Sequence, residues 1–425
     1  MMKDRGVLRT VSLLAASLVA AASLMTAPVT AAGSEAEEVL GRLSGTASVS
    51  QIPASTNVAQ QDEVNAIWIA FLDLQKILSG KSQSAFRSSV QQMYQNCVDA
   101  GLNTVIVQVR PYGDSFYPSD LFPWSSYASG KLGTSPGFDP LEILVEEAHA
   151  KGLTFEAWVN PLRLMAESEI SSVSSSYPVR QWYDNPTKKA ENLISYGGRL
   201  YLNPASSEAR QLVVDGVTEI IENYDVDGIH IDDYFYPSSL PESYDLASYQ
   251  ASGSKLSHAD WRRQNITTLM GEMYSAIKKA DSSCIFGISP RGIVSQDYDL
   301  VYADVAYWAS HTGYCDYLAP QVYYGFEHAS APYDEIVEEW SEMTTASGVS
   351  LRIGLAAYKV GAVDTYAGSG KNEWTQNTDI IARQIDLSRQ YDNIEGIILF
   401  RYDQIFTSPN SAMTVEKKNF MALLQ

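Results

Sequence analysis

The run Asp227-Gly228-Ile229-His230-Ile231-Asp232-Asp233-Tyr234-Phe235-Tyr236-Pro237 ends an apolar stretch with two adjacent carboxylates and follows them with three aromatic rings. Carboxylates in that setting suit glycoside chemistry. One acid protonates the leaving oxygen while another carboxylate attacks, or activates water, at the anomeric carbon. Successive residues of a strand face opposite sides of a sheet, so Asp232 points inward and Asp233 toward the rim. Asp232 is the principal catalytic candidate. Asp233 is either a second catalytic group, a cap for the following loop or the partner of an arginine. Asp73, Asp114, Glu327 and Asp403 compete for the role of second acid, and Asp403, in Arg401-Tyr402-Asp403, joins the aspartate pair as a catalytic candidate.

Other apolar runs also end in polar groups at period two: Gln108-Val109-Arg110, Glu156-Ala157-Trp158-Val159-Asn160 and Gln321-Val322-Tyr323, with Ser289 and Arg291 on a further run. Arg110, Asp114, Asn160, Arg291, Gln321 and Arg401 are candidates for contacts to sugar hydroxyls or to the catalytic acids. Trp124, Trp158, Tyr323 and Tyr358 are candidate stacking surfaces for sugar faces. Glu156 lies deeper and reads as a buried partner for Arg110 or Arg291, since an unpaired buried charge is costly. His230 reads as filling an interior layer or orienting Asp232. No Ser-His-Asp order and no cysteine nucleophile context compete with the carboxylates. Five histidines without HxH or HExxH spacing leave no transition-metal site, and no cofactor is expected.

These side chains need a scaffold that brings many strand ends together. Short apolar, β-rich runs at Ala66–Leu74, Thr104–Arg110, Thr154–Asn160, Val226–Asp232, Ile285–Arg291, Asp316–Tyr324, Leu351–Lys359 and Glu395–Arg401 alternate with segments of helical period. Those segments are Ser84–Ala100, Pro140–Lys151, Ser206–Asn223, Asp260–Lys279, Asp299–His311, Pro332–Ser347, Asn377–Tyr391 and Thr414–Leu424. Eight such units predict an α/β fold of the (β/α)8 TIM-barrel type, with long βα loops after strands two, three and four. An open dinucleotide-binding sheet would need a glycine-rich turn after the first strand, and Phe71-Leu72-Asp73-Leu74 has none. Asp139-Pro140 and Asn203-Pro204 mark helix starts, and Gly101 and Gly152 mark stops.

The ends of the chain read differently. Lys3, Arg5 and Arg9 precede an apolar run from Val11 to Leu24 and the small residues around Ala31, the pattern of a signal peptide over residues 1–31. Residues 32–61, rich in Ser, Ala, Gly, Thr and Glu, read as a flexible linker, and residues 62–425 as the barrel. An uncleaved N-terminal anchor is the alternative to cleavage. A secreted or envelope-associated protein is the expectation, with no transmembrane segment in the mature chain. Three cysteines are too few for a disulfide framework. Cys284 and Cys315, each before a strand-like run, either pair or remain buried thiols. With 30 Lys+Arg against 50 Asp+Glu the net charge is -20, which speaks against nucleic acid and other polyanions such as teichoic acids and suits neutral glycans. The 26 Tyr and 8 Trp supply core as well as candidate sugar platforms.

Taken in order, Ala66-Ile67-Trp68, Asn103 to Pro111, Ala157-Trp158-Val159-Asn160-Pro161, Asp227 to Tyr236, Phe286 to Pro290, Ala319 to Tyr323 and Ile398 to Arg401 resemble glycosyl-hydrolase-like family 10 across about residues 62–408. The resemblance implies a glycosidase-type barrel acting on a polysaccharide, some members of the family hydrolysing peptidoglycan glycan strands that have lost their stem peptides. It matches Asp232 and Asp233 to the family's paired aspartates, Asn160 to its Asn-Pro, and Gln321 and Tyr323 to its strand-six motif. Arg110 matches its strand-two arginine, and Arg401 with Asp403 its strand-eight end. Where the family commonly carries Asp-Pro before the third helix, this chain has Asn203-Pro204. A weaker likeness to the chitinase motif DxxDxDxE fails at its final glutamate, which is Tyr234. The competing readings are a glycan-binding barrel without catalysis and a wall-associated scaffold.

Overall fold

The computed structural model describes residues 63–425; the expected signal peptide and linker lie outside the described residues. Eight parallel strands close into a barrel: β1 (Val64–Ile69), β2 (Thr104–Arg110), β3 (Thr154–Val159), β4 (Gly228–Ile231), β5 (Ile285–Ile288), β6 (Tyr317–Leu318), β7 (Ser350–Ala356) and β8 (Ile394–Phe400). Each strand pairs with its sequence neighbour, and β8 returns to β1 with Ala66 opposite Ile398. The helices α1 (Gln83–Asp99), α2 (Pro140–Ala150), α3 (Ser207–Asn223), α4 (His258–Ala280), α5 (Val305–Ser310), α6 (Tyr333–Met343), α7 (Ile380–Ser388) and α8 (Ser411–Leu424) follow the strands in turn. No helix among the described residues is long and apolar enough to cross a membrane.

The period-two alternation divides the apolar residues between two cores. Ala66, Trp68, Ile106, Trp158, Tyr317, Ala319 and Ile398 fill the barrel interior. Ile67, Ile69, Val105, Val107, Ile229 and Ile353 face outward and pack under the helices with Val90, Leu144, Val213 and Met270. Side-chain caps start the helices: Ser82 accepts from the Ala85 amide, Asp139 from Leu141 and Glu142, and Ser257 from Asp260. Gly101 and Gly152 follow α1 and α2 with φ of 82° and 70°, the left-handed geometry that stops a helix. The cap of α3 is Ser206 and not Asn203, whose side chain instead accepts from the Ala205 amide two residues on.

Three elements depart from the expected boundaries. Strand β1 ends at Ile69 because Asp73 accepts the Ala70 amide and starts a helix over Phe71–Leu78. Strand β6 keeps only two ladder residues because Pro320 has no N–H to donate, although Gln321 still bridges Arg291 and Gly354. The helix expected over Asp299–His311 is two, Val294–Leu300 and Val305–Ser310, parted by Tyr302 at φ 58° and restarted by the Asp304 cap. Cys97, Cys284 and Cys315 are all buried free thiols, so Cys284 and Cys315 do not pair.

A polar chain crosses the barrel interior. Trp68 Nε1 donates to His230 Nε2 at 3.1 Å, which leaves the proton on Nδ1, facing the Tyr317 hydroxyl at 2.7 Å. Tyr317 donates to Glu156, and Arg352 on β7 donates to both Glu156 and Glu395, at 2.5 and 2.6 Å. The partner of Glu156 is therefore Arg352, not Arg110 or Arg291. His230 fills an interior layer, and burial pushes it down to about 3, so it is neutral. Gly287 makes room for this chain, since a Cβ there would lie 2.0 Å from Tyr317 Cζ. Removing one member of a buried ion pair leaves the other charge uncompensated. Glu156→Ala is therefore expected to cost about 3–5 kcal/mol, measured by urea unfolding, whereas a loss below about 1 kcal/mol would show that Arg352 needs no more than Glu395.

Candidate active site

The C-terminal ends of the strands surround a cavity of about 170 Å³. Trp68, Gln108, Trp158, Gln321, Tyr323 and Phe400 form much of its wall, and Asp232 and Asp233 are the two carboxylates among its lining residues. A larger hollow of about 1010 Å³ lies on the helical outside, between α3 and α4, and shares no residue with the barrel mouth. Size does not identify the site here, because convergent polar groups and a displaced acid mark the smaller cavity.

Asp232 follows β4 in the inward register of His230 and is only 3 % exposed. Asn160, which follows β3 in the register of Glu156 and Trp158, donates its Nδ2 to both Asp232 oxygens at 2.8 Å. The Tyr234 amide contributes a longer bond at 3.4 Å. Burial, with Asp233 next to it, pushes the Asp232 carboxyl up to about 7 against the opposing pull of Arg163 and Asn160. Asp232 therefore takes up and releases its proton around neutral pH. Asp233 turns the other way, where Arg291 Nε approaches one oxygen at 3.3 Å and Gln321 Nε2 the other at 3.5 Å. Gln321 is itself steadied by Ser289, through its carbonyl and hydroxyl.

Arg163 reaches the mouth from a separate three-stranded antiparallel sheet, Arg163–Ala166, Leu193–Tyr196 and Arg199–Leu202, inserted between β3 and α3. Its guanidinium is clamped over the ring of Tyr234 at 3.5 Å and that of Tyr112 at 4.5 Å. On the opposite wall Tyr323 meets Tyr358 and Phe400 edge-on or tilted at 5.8 and 5.6 Å. Arg401 completes the rim, 3.9 Å from Asp73 and 3.8 Å from Asp403. The mouth thus holds acids, donors and half-exposed rings of the kinds that grip a sugar.

Of the candidates read from sequence, Asp232, Asp233, Trp158, Gln321, Tyr323 and Arg401 line the cavity. Asn160 and Arg291 hold the two aspartates from behind, and Tyr358 stands at the edge. Four others lie elsewhere. A bulge between Gln108 and Arg110 breaks the alternation of β2, so Arg110 turns outward, lies over Phe122 at 4.5 Å and packs beneath Gly216 of α3. Trp124 belongs to a hollow with Glu142 and Glu219 on the helical outside, because the loop after β2 folds down over α2 and α3. Asp114 is buried and accepts from the Tyr112 amide, pinning that loop; burial pushes it up to about 6. Asp403 is bound by Lys76 at 2.5 Å and by Thr407. Although burial opposes it, these partners and Arg401 hold it below the usual carboxylate range.

Sequence reading places Gln108 as an inward polar residue at the end of strand two but gives it no role, and it does not single out Arg163, Tyr234, Phe71 or Phe400 as site residues. Gln108 sits in the inward register two residues before Arg110, a signal that was available. Arg163 lies beyond a proline in a loop, where no periodicity applies.

Residues 63–369 match the model of the family described as Glycosyl hydrolase-like 10. The chain is 33% identical over 386 residues to Glycosyl hydrolase YngK of Bacillus subtilis (strain 168), covering 85% of this chain and 72% of that one. It is 33% identical over 391 residues to Glycosyl hydrolase DigH of Escherichia coli (strain K12), covering 84% and 86%. Among solved structures it superposes on the PgaB (BpsB) glycoside hydrolase domain from Bordetella bronchiseptica with a TM-score of 0.53 at 13% identity, covering 86% and 98%. The catalytic domain of β-amylase from Paenibacillus polymyxa gives 0.53 at 13%, covering 86% and 100%. At that identity the two structures speak for the fold alone.

A carboxyl whose folded value is raised keeps its proton after the unfolded chain has lost it, so its contribution to stability falls as pH rises. The stability of the wild type relative to Asp232→Asn is therefore expected to decline between about pH 4 and about pH 7 and to level off above. Paired urea titrations across that range would reveal it. A constant difference would mean that Asp232 titrates like an exposed aspartate.

Proposed function

The chain belongs to the Glycosyl hydrolase-like 10 family, and from that membership together with the site geometry we propose that it hydrolyses O-glycosidic bonds with Asp232 as its principal catalytic carboxyl. One observation carries the reading. Asp232 is buried at the barrel mouth with no arginine or lysine salt-bridged to it among the described residues, beside an aspartate that Arg291 does hold. Paired acids in unlike surroundings divide into a proton carrier and a charge. In this reading Asp232 gives its proton to the leaving glycosidic oxygen as the bond to the anomeric carbon breaks. Asp233, in its ion pair with Arg291, supplies negative charge to the oxocarbenium-like transition state, and a water molecule adds to the anomeric carbon, its proton returning to Asp232. Trp158 and Tyr323 present apolar faces to the sugar, Arg401 presents donors to its oxygens, and Gln321, whose NH₂ is engaged by Asp233 and Ser289, presents its Oε1 to a hydroxyl.

The family relationship supports a carbohydrate substrate, and a glycan of the bacterial cell wall is the one we propose, its strand passing over the mouth outside the cell. Secretion rests on the N-terminal run ending near Ala31. Mass spectrometry of the mature protein is expected to find a new N-terminus there, and an intact Met1 would instead indicate a tether.

General acid–base catalysis alone contributes about 10²–10⁴-fold. Asp232→Asn is expected to lower reducing-end release from purified peptidoglycan glycan strands by at least about 100-fold while leaving the fold intact. Glycan binding that persists in both proteins, with no reducing ends released by either, would favour the binding-module reading. Cleavage by the variant within a few-fold of wild type would remove Asp232 from the mechanism.

A further inference from the structure

Asn160 can meet Asp232 with either end of its amide. If its NH₂ faces the carboxyl, the ionised form is favoured; if its oxygen does, the protonated form is. What decides between them lies two residues further along a chain of contacts. Asn160 Oδ1 accepts from Gln108 Nε2 at 2.7 Å, and Gln108 Oε1 accepts from the backbone N–H of Phe71 at 3.2 Å. Gln108 and Asn160 are both buried, each about 2 % exposed.

Phe71 is the first residue of the helix Phe71–Leu78, where the opening amides have no partner within the helix. A peptide N–H can donate and cannot accept. Gln108 must therefore present its oxygen to Phe71 and its NH₂ to Asn160. Asn160 in turn must present its oxygen to Gln108 and its NH₂ to Asp232. Each amide inherits its direction from the one before, and the first direction is set by the backbone.

We propose that Gln108 is a positioning residue for Asp232, and that the Phe71 backbone N–H, acting through Gln108, locks Asn160 as a one-way donor to the Asp232 carboxyl. The relay counterweighs the desolvation of Asp232 and keeps its proton exchangeable. This rests on Asp232 being the working acid, and assigns the group that tunes it to a strand and a helix start remote from the acid in sequence.

The experiment titrates Asp232 directly in the full chain, by carbon NMR of aspartate labelled at the side-chain carboxyl, with Asp232→Asn identifying the resonance. Phe71→Pro removes the N–H at a helix position that favours proline, after an Ala70 already extended at φ -79° and ψ 159°. Phe71→Ala removes the ring and keeps the N–H. The Asp232 midpoint is expected to rise by about one pH unit in Phe71→Pro and in Gln108→Met, and to stay near wild type in Phe71→Ala. Gln108→Glu, which can still accept from Phe71 but as a carboxylate cannot donate to Asn160, is expected to raise it further. Wild-type midpoints in the folded Phe71→Pro or Gln108→Met proteins overturn the relay. A rise confined to Gln108→Glu also overturns it, since added charge explains that without any relay. Because the readout is protonation and not turnover, a protein that cleaves no glycan yet shows these shifts would count against the proposed function and leave the relay standing.

Discussion

Taking a carboxyl group out of water demands either a counter-charge or a proton, and the barrel interior adopts both solutions within a few strands. Glu156 takes the first: Arg352 and Tyr317 saturate it, and it serves as an anchor for the strands around it. Asp232 takes the second, with amide donors in place of a cation. Much of the surrounding construction follows from that difference. Of the arginines near the mouth, Arg291 is held by Asp233, and Arg163, clamped on tyrosine faces, pulls on Asp232 through space without a salt bridge. Asn160 and Gln108 offer dipoles where a full positive charge would have frozen the acid in its ionised state. Beneath them, neutral His230 fills space without adding charge.

The net charge of -20 says little about this place. Charges further apart than about 8 Å are largely screened at physiological ionic strength, so the acidic outer face, such as Glu335, Glu338, Glu339 and Glu342 of α6, is scarcely felt at the strand ends. Arg163 and Arg401 stand among the lining residues against Asp233 and a readily protonated Asp232, so the lining carries no net negative charge. Composition supports statements about solubility and long-range encounter, whereas the mouth is governed by its own few residues.

The barrel was legible in the sequence because eight apolar runs alternate with segments of helical period, and six of the eight helices between them carry side-chain caps. Asp232, Asn160 and Trp158 were legible for the same reason, as inward residues near the ends of well-patterned strands. The failures share a cause. Arg110 was assigned by parity, and parity is lost where a bulge inserts one residue into β2. Trp124 and Asp114 lie in a loop whose course over α2 and α3 is set by tertiary packing. Arg163 arrives on an inserted sheet, and Asp403 was judged without Lys76, distant in sequence but adjacent in space. Local pattern finds side chains that strands point; it does not find those that loops deliver or that distant charges occupy.

The closure of β8 onto β1 has a temporal side. Strand β1 has one of its two neighbours within about forty residues, but the other is Ile394–Phe400, more than three hundred residues later. Until that segment is available, β1 and β7 both expose an unpaired edge, and the interior lacks Ile398. The polar chain is likewise assembled from Trp68, Glu156, His230, Tyr317 and Arg352, contributed by five different strands. Neither the cylinder nor its polar filling can be completed piecemeal from the N-terminus. Seven of the eight strand pairings join sequence neighbours, but this one long-range closure must wait for a nearly complete chain, which has to stay unaggregated until then.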